Sequence, residues 1–167
     1  MSRAAWALGL PLAAQALATL ADEVHFHRRR GLEKWERIGH PLDTLTVLAC
    51  VGWVLLVPPT PRAIEGYLAL AAISCVFITK DELVHAGRCR GGEHWLHAIL
   101  FVLHPLALAS IGLLWLALSV ETSALPVWLR EVPADILLTV HFTAAATFCL
   151  YQALYWNVPW LRPPPVR

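Results

Sequence analysis

Residues 95 to 120 read WLHAILFVLHPLALASIGLLWLALSV, a run that contains no Asp, Glu, Lys or Arg. Crossing a bilayer takes about 20 mostly apolar residues, so this one stretch already removes most soluble folds from consideration. Four further stretches qualify or nearly qualify. The expected spans run over about Ala5 to Ala21, Leu42 to Val57, Ala63 to Thr79, Trp95 to Val120 and Ile136 to Trp156. The second and third are short, and tilt or local thinning of the bilayer would accommodate them. The proline-rich VPPTPRA between them is a turn that neither helix can continue through. Only 15% of the residues are charged, against about a quarter in soluble domains, which agrees with a membrane protein.

The expected fold is therefore all-α: a single transmembrane domain over residues 1–167, an integral membrane helical bundle of five spans. The first span could serve as a cleaved signal, since ALATLA offers small residues before Asp22. Arg28, Arg29 and Arg30 argue against that, because clustered arginines beside an apolar segment resist translocation.

Charge distribution sets the expected orientation. With the loop after the first span placed inside, Arg28, Arg29, Arg30, Lys34, Arg37, Lys80, Arg88, Arg90, Arg162 and Arg167 are inside, leaving Arg3, Arg62 and Arg130 outside. Such a bias predicts an N-out, C-in, multi-pass protein of the cytoplasmic membrane. Trp6, Trp35, Trp95, Trp128, Trp156 and Trp160 fall near span ends, as an interfacial aromatic belt would have them. No basic stripe or aromatic platform points to nucleic acid. Cys50, Cys75 and Cys149 lie in apolar runs and Cys89 in a polar one, without a C-x-x-C step, so free thiols are expected.

DEVHFHRRRG at residues 22–31 and KDELVHAGRCRGGEHWLH at residues 80–97 share one grammar. An acid pair ends a descending helix, histidine follows, a basic glycine-containing loop turns, and more histidine opens the ascending helix. Two hairpins of the same orientation imply a parallel internal repeat, with the fifth span as an extra helix.

The same two segments carry the chemistry. Asp22 to His25, His40 to Asp43, Glu82 to His85 and His94 to His97 are i,i+3 pairs. Glu23 to His27, Asp81 to His85 and Glu93 to His97 are i,i+4 pairs. Each pair shares a helix face, so all can aim at one region between the helices. Polar residues at span ends also simply mark the water interface, and histidine suits a helix C-terminus. Carboxylates do not: Asp22, Glu23, Asp81 and Glu82 sit at helix C-termini, where each is disfavoured by about 0.3–1 kcal/mol. A nearby cation is needed, either a metal ion or the loop arginines.

The expected metal ligands are Glu23, His25, His40, Asp43, Glu82, His85, Glu93, His94 and His97, with Asp22, Asp81 and His27 as alternates or as groups that orient the imidazoles. Oxygen and imidazole donors without thiolate suit iron, manganese or catalytic zinc. So many candidates favour a di-metal centre, with iron the first choice. The E-x-x-H step at Glu82 and His85 resembles that of soluble di-iron carboxylate proteins. The H-x-x-H-H boxes of membrane desaturases and hydroxylases are absent, and HWLH at residues 94–97 is the nearest approach.

The functional expectation is a membrane metalloenzyme that hydroxylates or desaturates a lipid-like substrate among membrane lipids, drawing electrons from a donor protein. The alternatives are a zinc hydrolase with Glu93 as general base, a metal or proton carrier, and an accessory membrane subunit. His104 and His141 lie inside spans and are expected to hydrogen-bond neighbouring helices. Glu33 and Glu36 are expected to pair with Lys34 and Arg37, and residues 31–39 to form a short helical turn on the headgroups.

Overall fold

The computed structural model describes residues 2–80, 91–119 and 124–158. Helix α1 covers Arg3–Asp22 and continues through a π-helical turn, Glu23–His27, into a last α-turn at Arg28–Arg30. Helix α2 covers Lys34–Leu56, α3 Pro61–Ile78, α4 Gly91–Ser119, the short α5 Val127–Arg130, and α6 Ala134–Asn157. No strand occurs among the described residues. Five of these helices, all but α5, are long and apolar enough to cross a membrane.

The turns follow from their residues. Gly31, at φ 78°, closes α1 in the left-handed region that favours glycine. Thr60 caps α3 by accepting the Ala63 N–H at 3.2 Å, and Pro61 occupies the first helical position, where its missing N–H costs nothing. Indoles pin the same corner: Trp53 Nε1 donates to the Ala63 carbonyl at 3.1 Å, and Trp115 Nε1 to that of Val57 at 2.8 Å.

The second span is longer than its apolar run. Residues 34–41 are the opening turns of α2 rather than a separate turn on the headgroups, so the helix has 23 residues, about 34 Å. Pro41 lies inside it and cannot donate to the Arg37 carbonyl. Asn157 Nδ2 at the end of α6 donates to that carbonyl instead, at 3.2 Å.

The principal packing pairs are α1 with α4, α2 with α6, and α2 with α3. Their core holds Leu8, Leu12, Val51, Ile111, Leu114 and Leu138. Tyr67 on α3 donates its hydroxyl to the Leu108 carbonyl on α4, where Gly112 makes room for its ring. Deeper polar groups join four helices in one line. Gln15 Nε2 meets His104 Nδ1 at 2.8 Å, His104 Nε2 meets Ser74 Oγ at 2.9 Å, and Ser74 Oγ meets Thr46 Oγ1 at 2.7 Å. His104 thus bonds to neighbouring helices, as expected of a histidine within a span.

Trp6, Trp35, Trp95 and Trp128 are exposed near helix ends. Trp156 departs from the expected belt: it is buried, for a reason that belongs to the site. Trp160 lies outside the described residues. Cys50, Cys75 and Cys149 are free thiols, and Cys89 lies outside the described residues.

Candidate metal centre

The end of α1 and the start of α4 meet around two imidazoles. A regular α-helix advances about 100° per residue, which would turn positions five apart some 140° away from each other. The π-helical turn after Asp22 widens the helix, as the Arg28 N–H bond to the Glu23 carbonyl shows, and returns His27 to the face of Asp22. His27 Nε2 then lies 3.1 Å from Asp22 Oδ2. From α4, His97 Nε2 approaches the same oxygen at 3.2 Å, and Glu93, one turn earlier, brings Oε1 to 4.0 Å from His27 Nε2.

Asp22, His27, Glu93 and His97 each offer one donor atom, all within 4.8 Å of one another. A metal with bonds of about 2.1 Å needs its ligands some 3.4 Å apart in a tetrahedron or up to about 4.2 Å across an octahedron, so only small side-chain movements separate this group from coordination. All four are buried, at 5%, 2%, 2% and 5% exposure.

Burial makes the charge balance decisive. Asp22 Oδ1 and both ring nitrogens of His27 make no hydrogen bond among the described residues, although carboxylate oxygens lie close by. A buried ion left without a counter-charge carries a penalty of several kcal/mol. A divalent cation between two carboxylates and two neutral imidazoles would remove it.

The surrounding groups orient this set. Glu23 Oε2 lies 3.5 Å from His27 Nδ1, the ring nitrogen opposite the donor atom. Its other oxygen accepts the Tyr151 hydroxyl at 2.6 Å and the Trp156 indole N–H at 3.0 Å, which is why Trp156 is inside. A carboxylate behind a ligating imidazole is the usual device for holding its ring and tautomer. Arg30 closes the other side. Its guanidinium grips Glu36 through both terminal nitrogens at 3.0 and 2.7 Å and touches Glu93 Oε1 at 3.1 Å. Glu36, expected to pair with Arg37, is therefore a buried partner of Arg30, while Arg37 Nε donates to the Leu32 carbonyl.

Of the expected ligands, Glu93 and His97 stand in the group of four, joined by the alternates Asp22 and His27. Glu23 stands behind His27. The His40 ring lies tilted against that of His27, with ring centroids 4.5 Å apart and the planes 33° from parallel. Asp43 is engaged by Lys80 Nζ at 2.6 Å to both oxygens. His25 is exposed, with Nδ1 against the Ala21 carbonyl at 3.1 Å, and His94 is half-buried outside the group. Glu82 and His85, with Asp81, lie outside the described residues. Tyr151, Trp156, Glu36 and Arg30 carried no periodic signal toward the site; their roles arise from helix packing and from the Gly31 turn.

A cavity of about 300 Å³ opens beside the group. Asp22, His40 and His97 line one end, and Gln15, His104 and His141 line it farther along. Gln15 and His104 each lie seven residues from Asp22 and His97, about 10 Å along their helices. The remaining wall is largely apolar, with Leu100, Phe101 and Phe148 prominent. No protein family, curated protein or solved structure matches this chain.

Proposed function

We propose that this protein is an integral membrane metalloenzyme whose ion sits among Asp22, His27, Glu93 and His97 and whose substrate is dissolved in the membrane. The observation that carries this reading is the opening of a buried carboxylate–imidazole group onto a largely apolar cavity. Cavities of this size and lining suit an apolar molecule oriented by a few polar groups. Iron is the preferred metal, because two carboxylates and two imidazoles without thiolate match its donor preferences. Iron held there would supply oxygen-dependent oxidation, hydroxylation or desaturation, with electrons from a donor protein. A di-iron form would draw further ligands from His40, Glu82 and His85.

In this reading the chain's own residues divide the work. Glu23 fixes the His27 ring, Tyr151 and Trp156 fix Glu23, and Phe101 and Phe148 keep the cavity wall dry. The five spans form a bundle of two same-orientation hairpins and one extra helix in the cytoplasmic membrane, N-out and C-in. The basic residues gathered after the first and third spans support that orientation.

A second reading rests on Arg30. Its contacts with Glu36 and Glu93 are those of a salt-bridged polar layer, which an accessory subunit would use to hold a partner. Elemental analysis of protein purified in mild detergent, beside His27→Ala, separates the two. One or two iron atoms per chain, lost in the variant, are expected. Zinc would shift the reaction to hydrolysis, and no metal in a folded wild-type sample would leave the salt-bridged layer.

A further inference from the structure

The exposed face between α1 and α6 bears an open groove of about 650 Å³. Leu20 and Val24 form one wall, and Val140, Ala144 and Phe148 line the other. Thr143 and Thr147 also face it, but their hydroxyls donate to the carbonyls of Thr139 and Thr143, each at 2.8 Å. That leaves their methyl groups to the groove, which is largely apolar; Thr139 also lines it, and Glu23 reaches it at the end where Tyr151 and Arg28 meet, its Oε1 already taken up by the Tyr151 hydroxyl. Leu20, Ala144 and Phe148 line the interior cavity as well. The groove and the cavity therefore share a wall of three side chains, none of them polar.

The groove ends at a cation. Arg28 is exposed, and its Nε donates to the Tyr151 hydroxyl at 3.1 Å. Its guanidinium lies 5.4 Å from the Tyr151 ring centroid and 5.2 Å from that of Tyr155. Bond and stacking together hold the guanidinium plane still. Its two terminal nitrogens make no hydrogen bond or ion pair among the described residues, and they are the pair that grips a phosphate bidentately. Arg28 lies six residues beyond Asp22, at the polar end of the span, where headgroups would sit.

We propose that this groove is a lateral entry for an anionic phospholipid: Arg28 holds the phosphate, and one acyl chain lies along α1 and α6 and passes between Leu20, Ala144 and Phe148 into the cavity. The proposal rests on the metalloenzyme reading for what happens in the cavity, but not for binding in the groove. It commits to a phospholipid because an exposed guanidinium with two unengaged terminal nitrogens stands at one end of a largely apolar groove, and only three apolar side chains, Leu20, Ala144 and Phe148, separate that groove from the cavity.

The test uses the full chain in mild detergent with equimolar dioleoyl phosphatidylglycerol and dioleoyl phosphatidylcholine, counting retained lipid by native mass spectrometry. The wild type should retain the glycerol lipid about fivefold over the choline lipid, the advantage expected of one interfacial arginine. Arg28→Gln should abolish the preference, and Ala144→Trp or Thr143→Trp, which fill the groove, should abolish retention. Equal retention by the wild type, or an unchanged preference in Arg28→Gln, overturns the proposal. So does undiminished retention in folded forms of both tryptophan variants, and so does displacement of the glycerol lipid by equimolar oleate, which would make the occupant a fatty acid. Helicity and bound metal are measured on the same samples. Metal absent throughout with the lipid preference intact would fail the metalloenzyme reading alone.

Discussion

Asp22 and His27 are five residues apart on one helix, yet a carboxylate oxygen of the first lies 3.1 Å from a ring nitrogen of the second. The π-helical turn between them makes that approach, and it buries a carboxylate beside imidazoles rather than beside Lys or Arg. A group arranged this way is costly when empty and favourable when it holds a cation. Asp22→Asn should therefore abolish metal binding and, in chelator-treated protein, raise the melting temperature above that of the chelated wild type. Thermal unfolding with and without chelator checks both signs. The wild type should lose stability on chelation, by about 2.7 kcal/mol if the ion had been present at a hundred times its dissociation constant.

Glu23 acts through His27, so its own supports should tune metal affinity without supplying a ligand. Tyr151→Phe with Trp156→Phe removes both donors to Glu23 Oε1. Affinity should fall about 10- to 100-fold, with the stoichiometry recovered at high metal concentration. Loss of stoichiometry in a titration would instead make Glu23 a ligand.

Asp43 separates structural from ligating carboxylates. Its two short bonds to Lys80 join α2 to the chain just beyond α3. Asp43→Asn should lower stability by about 1–3 kcal/mol, since it weakens a charged bond in a half-buried place, and should leave metal content unchanged. Chemical unfolding and elemental analysis of the same preparation read the two effects apart.

Ser74 is wholly buried and bridges His104 to Thr46. Ser74→Ala breaks both bonds in the middle of the spans. A loss of about 0.6–1.7 kcal/mol is expected, the range for interhelical hydrogen bonds in membranes, again with metal retained.

The five spans were legible because long apolar runs have few other uses, and because the prolines between the second and third leave no choice of turn. Glu93 and His97 were legible because α4 is regular there and an i,i+4 step means one face. Helical spacing counts in threes and fours, so it pairs Asp22 with His25 and Glu23 with His27, and it gives no reason to pair Asp22 with His27; the π-helical turn adds the residue that brings those two together, and the pattern does not announce it. His25 satisfies the arithmetic but points outward. Glu36 was hidden differently: its partner Arg30 lies on the preceding helix, across a glycine turn that periodicity does not cross. Trp156 had the place of an interfacial anchor, and only the packing of α6 against the end of α1 turns its indole toward Glu23.

That last contact bears on how the molecule comes to exist. Residues 22 to 27 leave the ribosome long before residues 151 and 156, so Glu23 waits through the synthesis of four further helices for the hydroxyl and the indole that hold it. Until the final helix is made, Glu23 lacks both of these donors, and His27 has Asp22, Glu93 and the His40 ring beside it. The four groups that could hold an ion are thus all made before the two donors that steady Glu23, so the surroundings of the group are completed last although its first residues are made early.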